Sequence, residues 1–220
     1  MGVFHFPSNF VYWRKIPNHH IFKEKILNYV ENNKDSFFYN PLVYNALKTD
    51  GTNNDFSNEF LKDKEMVNSI IWDTMEEMLT EINSREDTIK TNITSSSILE
   101  SWIVKYDENS TISVHNHENQ GRSVFYINGK KWFTSFSIIY IINDPNKKNN
   151  TEFIQTKTHY VSSHIVQNIS FKTEFCKDIS EGTVLIFPSN LDHQAIFMKE
   201  PGRVILSCNI ISCDEDSLTA

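Results

Sequence analysis

The fold is decided by residues 182–209, GTVLIFPSNLDHQAIFMKEPGRVILSCN. Residues 183–187 form a short apolar run rich in β-branched and aromatic side chains, and the Pro-Ser-Asn that follows predicts a turn after a strand. Residues 199–202, Lys-Glu-Pro-Gly, predict a second turn before another apolar strand. We therefore expect a hairpin that directs His193 and Arg203 into the same cavity. An imidazole suits a metal ion, and a guanidinium suits a carboxylate.

Two further histidines, His115 and His117, are separated by a single residue. In a strand, residues two apart project to the same face, so both imidazoles could reach one metal ion. His193, at the end of another strand, could complete a facial set of three ligands and leave the other positions of the metal open. Two histidines and one carboxylate in this arrangement are typical of non-haem iron(II) oxygenases, and here His117 occupies the position of the carboxylate.

Length and composition narrow the class of protein. The chain of 220 residues is long enough for one β-sandwich or barrel domain with helices, and 39% of its residues are hydrophobic, so a substantial core can form. The formal net charge of −7 makes nucleic acid an unlikely partner, since binding its backbone needs clustered Lys and Arg. Three cysteines without CxxC spacing suggest free thiols in a reducing compartment. No apolar run is long enough for a membrane helix, so we expect a soluble, cytoplasmic protein without a membrane partner.

Residues 1–96 are predicted to be a helical support region. An N-terminal helix is expected, with His19 and His20 in its solvated first turn, and a second helix is expected over about residues 60–83. Residues 34–60, between them, are interpreted as a long loop or a short strand pair. The apolar stripes of the two helices consist of Ile21, Ile26, Leu27 and Val30, and of Met66, Ile70, Ile71, Met75, Met78 and Leu79.

Residues 97–213 show the period of two that is typical of strands. We expect six to eight strands, with a turn at residues 107–110 and a hairpin at residues 128–129, Asn-Gly. Helices followed by strands predict a single α+β domain over residues 1–220 whose β part closes as a sandwich or barrel, with residues 214–220 as a tail.

At this point the sequence resembles the iron(II)- and 2-oxoglutarate-dependent oxygenases, in particular a group of small members and the prolyl-hydroxylase-like branch. The resemblance covers residues 102–209, and three pieces carry it: WIVKY followed by VHNH, SIIYIIND followed by TEF, and GTVLIFPSNLDH followed by RVILSCN. The third piece is the most specific. The resemblance implies a double-stranded β-helix, the cupin-like jelly roll, with the N-terminal helices packed outside against the sheet.

The resemblance also implies the roles of individual residues. His115, His193 and His117 become the metal ligands, although most of the family has Asp or Glu where His117 stands. Glu118 and Asp192 are therefore alternative third ligands. Arg203 falls where the family binds the distal carboxylate of 2-oxoglutarate, and a guanidinium can do so through two parallel hydrogen bonds. The further residues considered for the same pocket are Ser207, as an additional donor, and Tyr106 and Tyr140, each of which could equally be a core aromatic.

The activity implied by the resemblance is hydroxylation of a substrate with iron(II), 2-oxoglutarate and O₂, giving succinate and CO₂. Its substrate would be a small molecule or a protein side chain; the oligomeric state is not predicted. Two other functions remain open: a cupin-like three-His metalloprotein, either a dioxygenase or an isomerase, that does not use 2-oxoglutarate, and a non-catalytic jelly-roll binding module. Arg203 separates the first from the second, because a cupin of that kind needs no carboxylate clamp. His159 and His164 are expected at the rim.

Overall fold

Antiparallel β-sheet makes up most of the structure. A computed structural model of the protein describes residues 1–6, 9–39, 43–49, 55–85, 93–117, 124–145, 151–157, 167–198 and 200–214. The four α-helices of the described chain are α1 (His19–Asn32), α2 (Asp55–Lys62), α3 (Lys64–Val67) and α4 (Asp73–Ser84), and a π-helical turn, Asn68–Trp72, joins the last two. No helix within these ranges is long and apolar enough to cross a membrane.

The predicted helix over residues 60–83 is in fact divided. Asp63 ends α2, and its side-chain oxygen accepts a hydrogen bond from the backbone N–H of Met66, so it caps α3. The apolar stripe is nevertheless buried as predicted, with Met78 fully inaccessible. In α1 the stripe is shifted by one position, because Phe22 is buried and Ile21 is 40% exposed. The stripe call at Ile21 was therefore wrong.

Twelve strands lie within the described residues, and their spatial order is β1-β2-β10-β7-β12-β5-β11-β8-β9, with β3 and β4 beside β5 and β6 beside β7. They are β1 (Gly2–His5), β2 (Phe10–Lys15), β3 (Phe38–Tyr39), β4 (Val43–Lys48), β5 (Ile93–His115), β6 (Val124–Ile127), β7 (Lys130–Asn143), β8 (Thr151–Lys157), β9 (Gln167–Lys172), β10 (Thr183–Pro188), β11 (Asp192–Met198) and β12 (Val204–Asp214). The sheet curls into a nearly closed barrel, which confirms the α+β jelly roll with helices packed on it.

Two apolar cores lie on opposite faces of this sheet. Alternate residues of β12 show the division: Val204 and Leu206 pack in the core beneath the helices, whereas Ile205 packs in the core inside the barrel. Strand alternation sends successive side chains to opposite faces, so one strand serves both cores. The inner core surrounds the candidate site.

The turn predicted at residues 107–110 is wrong, because β5 runs without reversal through this segment. Asn109 instead adopts a left-handed backbone conformation with φ 59°. The pairing register with β11 shifts nearby, between the pairs Ala195–Ile112 and Met198–Ser110. Such a bulge bends a strand without ending it. The N-terminal part of β5 pairs with β12, and its C-terminal part pairs with β11.

The predicted hairpin of residues 183–209 is also corrected. Each of β11 and β12 pairs with β5, and within the described residues no ladder joins the two to each other. His193 and Arg203 therefore approach through a shared neighbour rather than through a direct turn. The Asn-Gly hairpin at residues 128–129 is confirmed, since both residues have positive φ, as a two-residue type I′ turn requires.

The N-terminal region contributes more than helices. It supplies β1 and β2, which extend the sheet beyond β10, and the pair β3–β4 that lies beside β5. The short strand pair considered for residues 34–60 is thus present, and β5 already begins at Ile93, before the predicted boundary at residue 97. The division of the chain into residues 1–96, 97–213 and 214–220 stays a prediction, and residues 215–220 lie outside the described ones.

Candidate metal centre

Three histidines from two strand ends meet at one point of the barrel. His115 is the last residue of β5 and is paired with His193 of β11. His117 lies two residues beyond the strand, and its backbone N–H donates to the carbonyl of Ser189 at 2.8 Å. The ring nitrogens of the three side chains all lie within 4.8 Å of one another. The structure thus brings together the three imidazoles that the sequence singled out.

Backbone carbonyls fix the tautomers of two of these rings. Nδ1 of His115 lies 2.8 Å from the Ser113 carbonyl, and Nδ1 of His193 lies 3.0 Å from the Leu191 carbonyl. Because a carbonyl only accepts, each Nδ1 carries the hydrogen and each Nε2 keeps its lone pair. These are the atoms a metal ion needs, and their orientation by backbone oxygens is the usual arrangement around metal-binding histidines.

His117 completes the donor set. Its Nε2 lies 3.4 Å from Nε2 of His193, and the two rings are nearly parallel at 6°. Its Nδ1 is buried without a hydrogen-bond partner among the described residues. A buried nitrogen pair at this separation fits a cation that both atoms can bind, so the donor set fits a metal ion.

Burial keeps these imidazoles neutral. It lowers the pKa of His117 to about 3, with a smaller contribution from the charge of His115. Burial likewise lowers the pKa of His193 well below its ordinary value and lowers that of His115. Neutral imidazole is the form that ligates metals, so the site is ready for a cation at neutral pH.

Aromatic side chains hold the rings from behind. Trp102 stacks on His117 with ring centres 5.9 Å apart. Phe187 packs edge-on against His193 at 4.8 Å, and Phe153 packs in the same way against Phe187, also at 4.8 Å. These contacts leave the imidazoles little freedom to rotate.

The carboxylates considered as third ligands do not join the cluster in the part of the chain that the structure describes. Asp192 Oδ1 accepts a hydrogen bond from Asn116 Nδ2 at 2.7 Å, and the metal-ligating cluster contains only the histidines among the described residues. Glu118 lies outside the described residues, as do His159 and His164.

A cavity of about 460 Å³, including space open to solvent at its mouth, adjoins the histidines. Its wall includes Tyr106, Ser207 and Thr151. Thr151 is paired with Ala195, two residues beyond His193 along β11, so it lies roughly 7 Å further along the cavity.

Arg203 lies at this far end and is only 3% exposed. Its Nη2 donates to Thr151 Oγ1 at 3.0 Å, and its guanidinium carbon lies 5.1 Å from the centre of the Tyr106 ring. Burial lowers the pKa of the guanidinium, while Tyr106 and Asp144 oppose this effect. Since an arginine starts from so high a pKa, it stays charged at neutral pH. The cavity therefore has metal-binding nitrogens at one end and a buried cation at the other.

Tyr140 is the one candidate that the structure does not bring to this cavity. Its neighbours Ile139 and Ile141 belong to the inner core, so alternation turns Tyr140 to the helix-side core. Its hydroxyl lies 2.6 Å from Nδ1 of His19, whose other ring nitrogen lies 3.4 Å from Glu181 Oε1. The expectation that His19 is solvated was wrong for the same reason, because its imidazole packs between α1 and the sheet.

Some residues of the site were not expected from the sequence. Thr151 and Phe187 were not assigned to it, and Trp102 was placed on a strand face without a role. Strand parity is a usable signal for Trp102, which lies on the same face as Tyr106. Thr151 gives no such signal, because its place beside Arg203 depends on the pairing of β8 with β11.

Comparison with known proteins places this arrangement in context. The family described as "Putative 2OG-Fe(II) oxygenase" matches residues 100–209, half of the chain. No curated protein matches. Among solved structures, OsALKBH1 is 13% identical, with 94% of this chain and 99% of that one covered and a TM-score of 0.58. HygX from Streptomyces hygroscopicus, with nickel and 2-oxoglutarate bound, is 10% identical over 93% and 82% with a TM-score of 0.53. The viral collagen prolyl hydroxylase of Paramecium Bursaria Chlorella virus-1 is 13% identical over 91% and 96% with a TM-score of 0.50. At these identities the structures show a shared fold.

Proposed function

The chain belongs to the 2OG-Fe(II) oxygenase family, which uses iron(II), 2-oxoglutarate and O₂, and we propose that it hydroxylates its substrate with release of succinate and CO₂. One observation carries the proposal: three neutral imidazoles and a buried guanidinium face the same cavity from different strands. The imidazoles suit the metal, and the guanidinium suits the second carboxylate of 2-oxoglutarate.

The histidines have the role of metal ligands in this proposal. His115 and His193 would hold iron(II) through Nε2, because their Nδ1 atoms are committed to backbone carbonyls. His117 supplies the third nitrogen. When bound, iron(II) and 2-oxoglutarate supply the oxidising power that transfers one oxygen atom of O₂ to the substrate and the other to succinate. The protein fixes the ligand geometry through the strand pairing and the aromatic contacts behind the rings.

Arg203 has the role of binding the distal carboxylate of 2-oxoglutarate. A guanidinium presents two parallel N–H groups to a carboxylate, and these hydrogen bonds are strong in a site from which water is excluded. Thr151 and Tyr106 hold the guanidinium in position. Ser207, on the same strand and in the cavity wall, can donate a further hydrogen bond, and Tyr106 shapes the pocket.

The walls of the cavity exclude water from the reacting groups. Ile139, Ile205 and Phe187 line it, and each is buried. An apolar wall strengthens the electrostatic attraction between Arg203 and a carboxylate, and it protects the reaction from side reactions with water.

The substrate is proposed to be a small molecule or a protein side chain. Structures of similar fold include HygX with hygromycin B bound and a viral collagen prolyl hydroxylase, which act as precedents for both classes. The net charge of −7 disfavours a nucleic acid. A cytoplasmic location stays a prediction.

One observation favours a second candidate function. The cluster of described ligands contains three histidines and no carboxylate, as in cupin-like metalloproteins that do not use 2-oxoglutarate. The two candidates differ in whether 2-oxoglutarate is consumed. Arg203 favours the first, because the second has no need of a buried cation in the cavity.

Succinate formation tests the proposal. Protein freed of metal is loaded with iron(II) under anaerobic conditions, mixed with 2-oxoglutarate and O₂, and succinate is quantified. We expect succinate from the wild type and none above background from His193→Ala or Arg203→Met. Tyr140→Phe is the matched control, since this buried residue lies on the opposite face of the sheet. Metal binding without succinate would favour the cupin-like alternative, and absence of metal binding would contradict both.

A further inference from the structure

A lysine at the rim of the cavity is used neither by the metal centre nor by the Arg203 end. Lys48 is the last residue of β4 and is paired with Val104 of β5, which lines the cavity. Its ammonium lies 5.6 Å from the centre of the Trp102 ring. Trp102 in turn stacks on His117. Ammonium, indole and imidazole therefore form a row that leads to the metal centre.

The backbone beside Lys48 is fixed. The N–H of Thr49 donates to the Ile103 carbonyl at 3.1 Å, and the N–H of Ile103 donates to Thr49 Oγ1 at 3.1 Å. Thr49 is fully buried. These reciprocal hydrogen bonds hold the end of β4 against β5, so the position of the lysine at the rim is set by the fold.

The charge of Lys48 reaches the metal centre and is not neutralised by any ion pair in the described part of the chain. Lys48 is half-buried, and no described carboxylate lies within 4.0 Å of its ammonium. After the larger effect of burial, its charge helps to lower the pKa of both His115 and His117.

Acidic side chains near the cavity are engaged differently. Glu100 Oε1 accepts from Asn209 Nδ2 at 2.6 Å, and Asp192 Oδ1 accepts from Asn116 Nδ2 at 2.7 Å. Each of these carboxylates thus has an amide partner, whereas the partner observed for Lys48 is the face of an indole. The group at the rim that is available for a new ionic contact is the ammonium.

We propose that Lys48 is a specificity residue that binds an anionic group, a carboxylate or a phosphate, of the substrate. This inference rests on the proposed oxygenase function. An ammonium–oxyanion hydrogen bond is stronger than one between neutral groups, and the indole face holds the ammonium in place for it. The remainder of the substrate then lies along Trp102 towards the metal centre.

The test measures succinate formation in the iron-loaded full-length protein with a matched panel of probes. The panel contains N-acetyl amino acids as carboxylates, their uncharged primary amides, O-phosphorylated analogues as phosphates, and amino acid amides as cations. Each rate is expressed relative to the succinate that the same protein forms without a probe. The variants are Lys48→Gln, Lys48→Glu and Lys48→Arg. Lys105→Gln is the control, because Lys105 pairs with Leu47 on the neighbouring position of the same two strands, and successive strand residues face opposite ways.

We expect the anionic probes to raise succinate formation by the wild type and by the control, and Lys48→Gln to raise the KM of the stimulating probe about tenfold or more. Lys48→Arg should retain the response, and Lys48→Glu should abolish it. Stimulation by neutral or cationic probes alone, stimulation by none, or an unchanged KM in Lys48→Gln overturns the inference. Absence of succinate from the wild type without any probe overturns the proposed function instead, so the two failures are distinguishable.

Discussion

Replacement of Arg203 by methionine separates the stability of the fold from the binding of 2-oxoglutarate. The guanidinium is 3% exposed, and the described contacts of its polar end include Thr151 and the sulfur of Met198. Methionine has a similar length and removes a buried charge. Because such a charge is costly to desolvate, we expect the unliganded variant to be about as stable as the wild type or more stable.

The expected loss of binding is large. Two charge-assisted hydrogen bonds to a carboxylate are each worth about 1.5–3 kcal/mol, so removing both costs about 3–5 kcal/mol. Since about 1.4 kcal/mol is a factor of ten, the Kd for 2-oxoglutarate should rise about a hundredfold to several thousandfold. Ligand at 100 times its Kd stabilises a protein by about 2.7 kcal/mol, which is roughly 5–10 °C for a domain of this size. The same concentration should shift the variant by less than about 1 °C.

The measurement is the melting temperature of manganese-loaded protein with and without 2-oxoglutarate, because manganese(II) occupies such a site without turnover. Arg203→Lys should give an intermediate shift, since an ammonium keeps the charge but not the two parallel donors. A full 2-oxoglutarate-induced shift in Arg203→Met would refute the assignment. A strong loss of stability in the unliganded variant would instead show that Arg203 is structural.

Three further predictions concern the metal ligands and the opposite face of the sheet. His193→Ala should weaken metal binding more than about a hundredfold, measured by cobalt titration, because even residues that only orient ligands contribute 10–100-fold. The metal-free protein should lose stability as pH falls below about 6.5, because the unfolded chain takes up protons on His117 and His193 that the folded chain, with their pKa lowered, does not. Two such groups give a slope of up to about 2.7 kcal/mol per pH unit in urea titrations, and a flat profile would contradict the burial of neutral imidazoles. Tyr140→Phe should lower the free energy of unfolding by about 1–2 kcal/mol, since it leaves Nδ1 of His19 without the hydroxyl, while succinate formation stays unchanged.

Much of the site could be predicted from local features of the sequence. The His-x-His pattern places two imidazoles close together by short-range geometry alone, since His117 is only two residues from His115. The apolar runs before His193 and after Arg203 predict strands that the structure confirms. Tyr106 and Ser207 lie in the cavity wall, where the resemblance placed them.

The errors arose where a conclusion needed contacts between distant parts of the chain. The turn expected at residues 107–110 is a bulge, because β5 continues on to a second partner, and that partner is 80 or more residues away in sequence. Tyr140 was assigned to the cavity although it faces the helices, where His19 binds its hydroxyl. Neither outcome is encoded in the residues next to the position concerned.

The sequence by itself determined which strands form and which side chains carry the chemistry, because alternation and turn residues act over a few positions. Only the tertiary structure decided that β11 and β12 both pair with β5, and that the rings of His115, His117 and His193 meet beside a cavity whose far end is Arg203. The physical reason is that the register between strands is set by long-range packing and by the bend at Asn109. A shift of one residue in that register would turn every one of these side chains to the other face of the sheet.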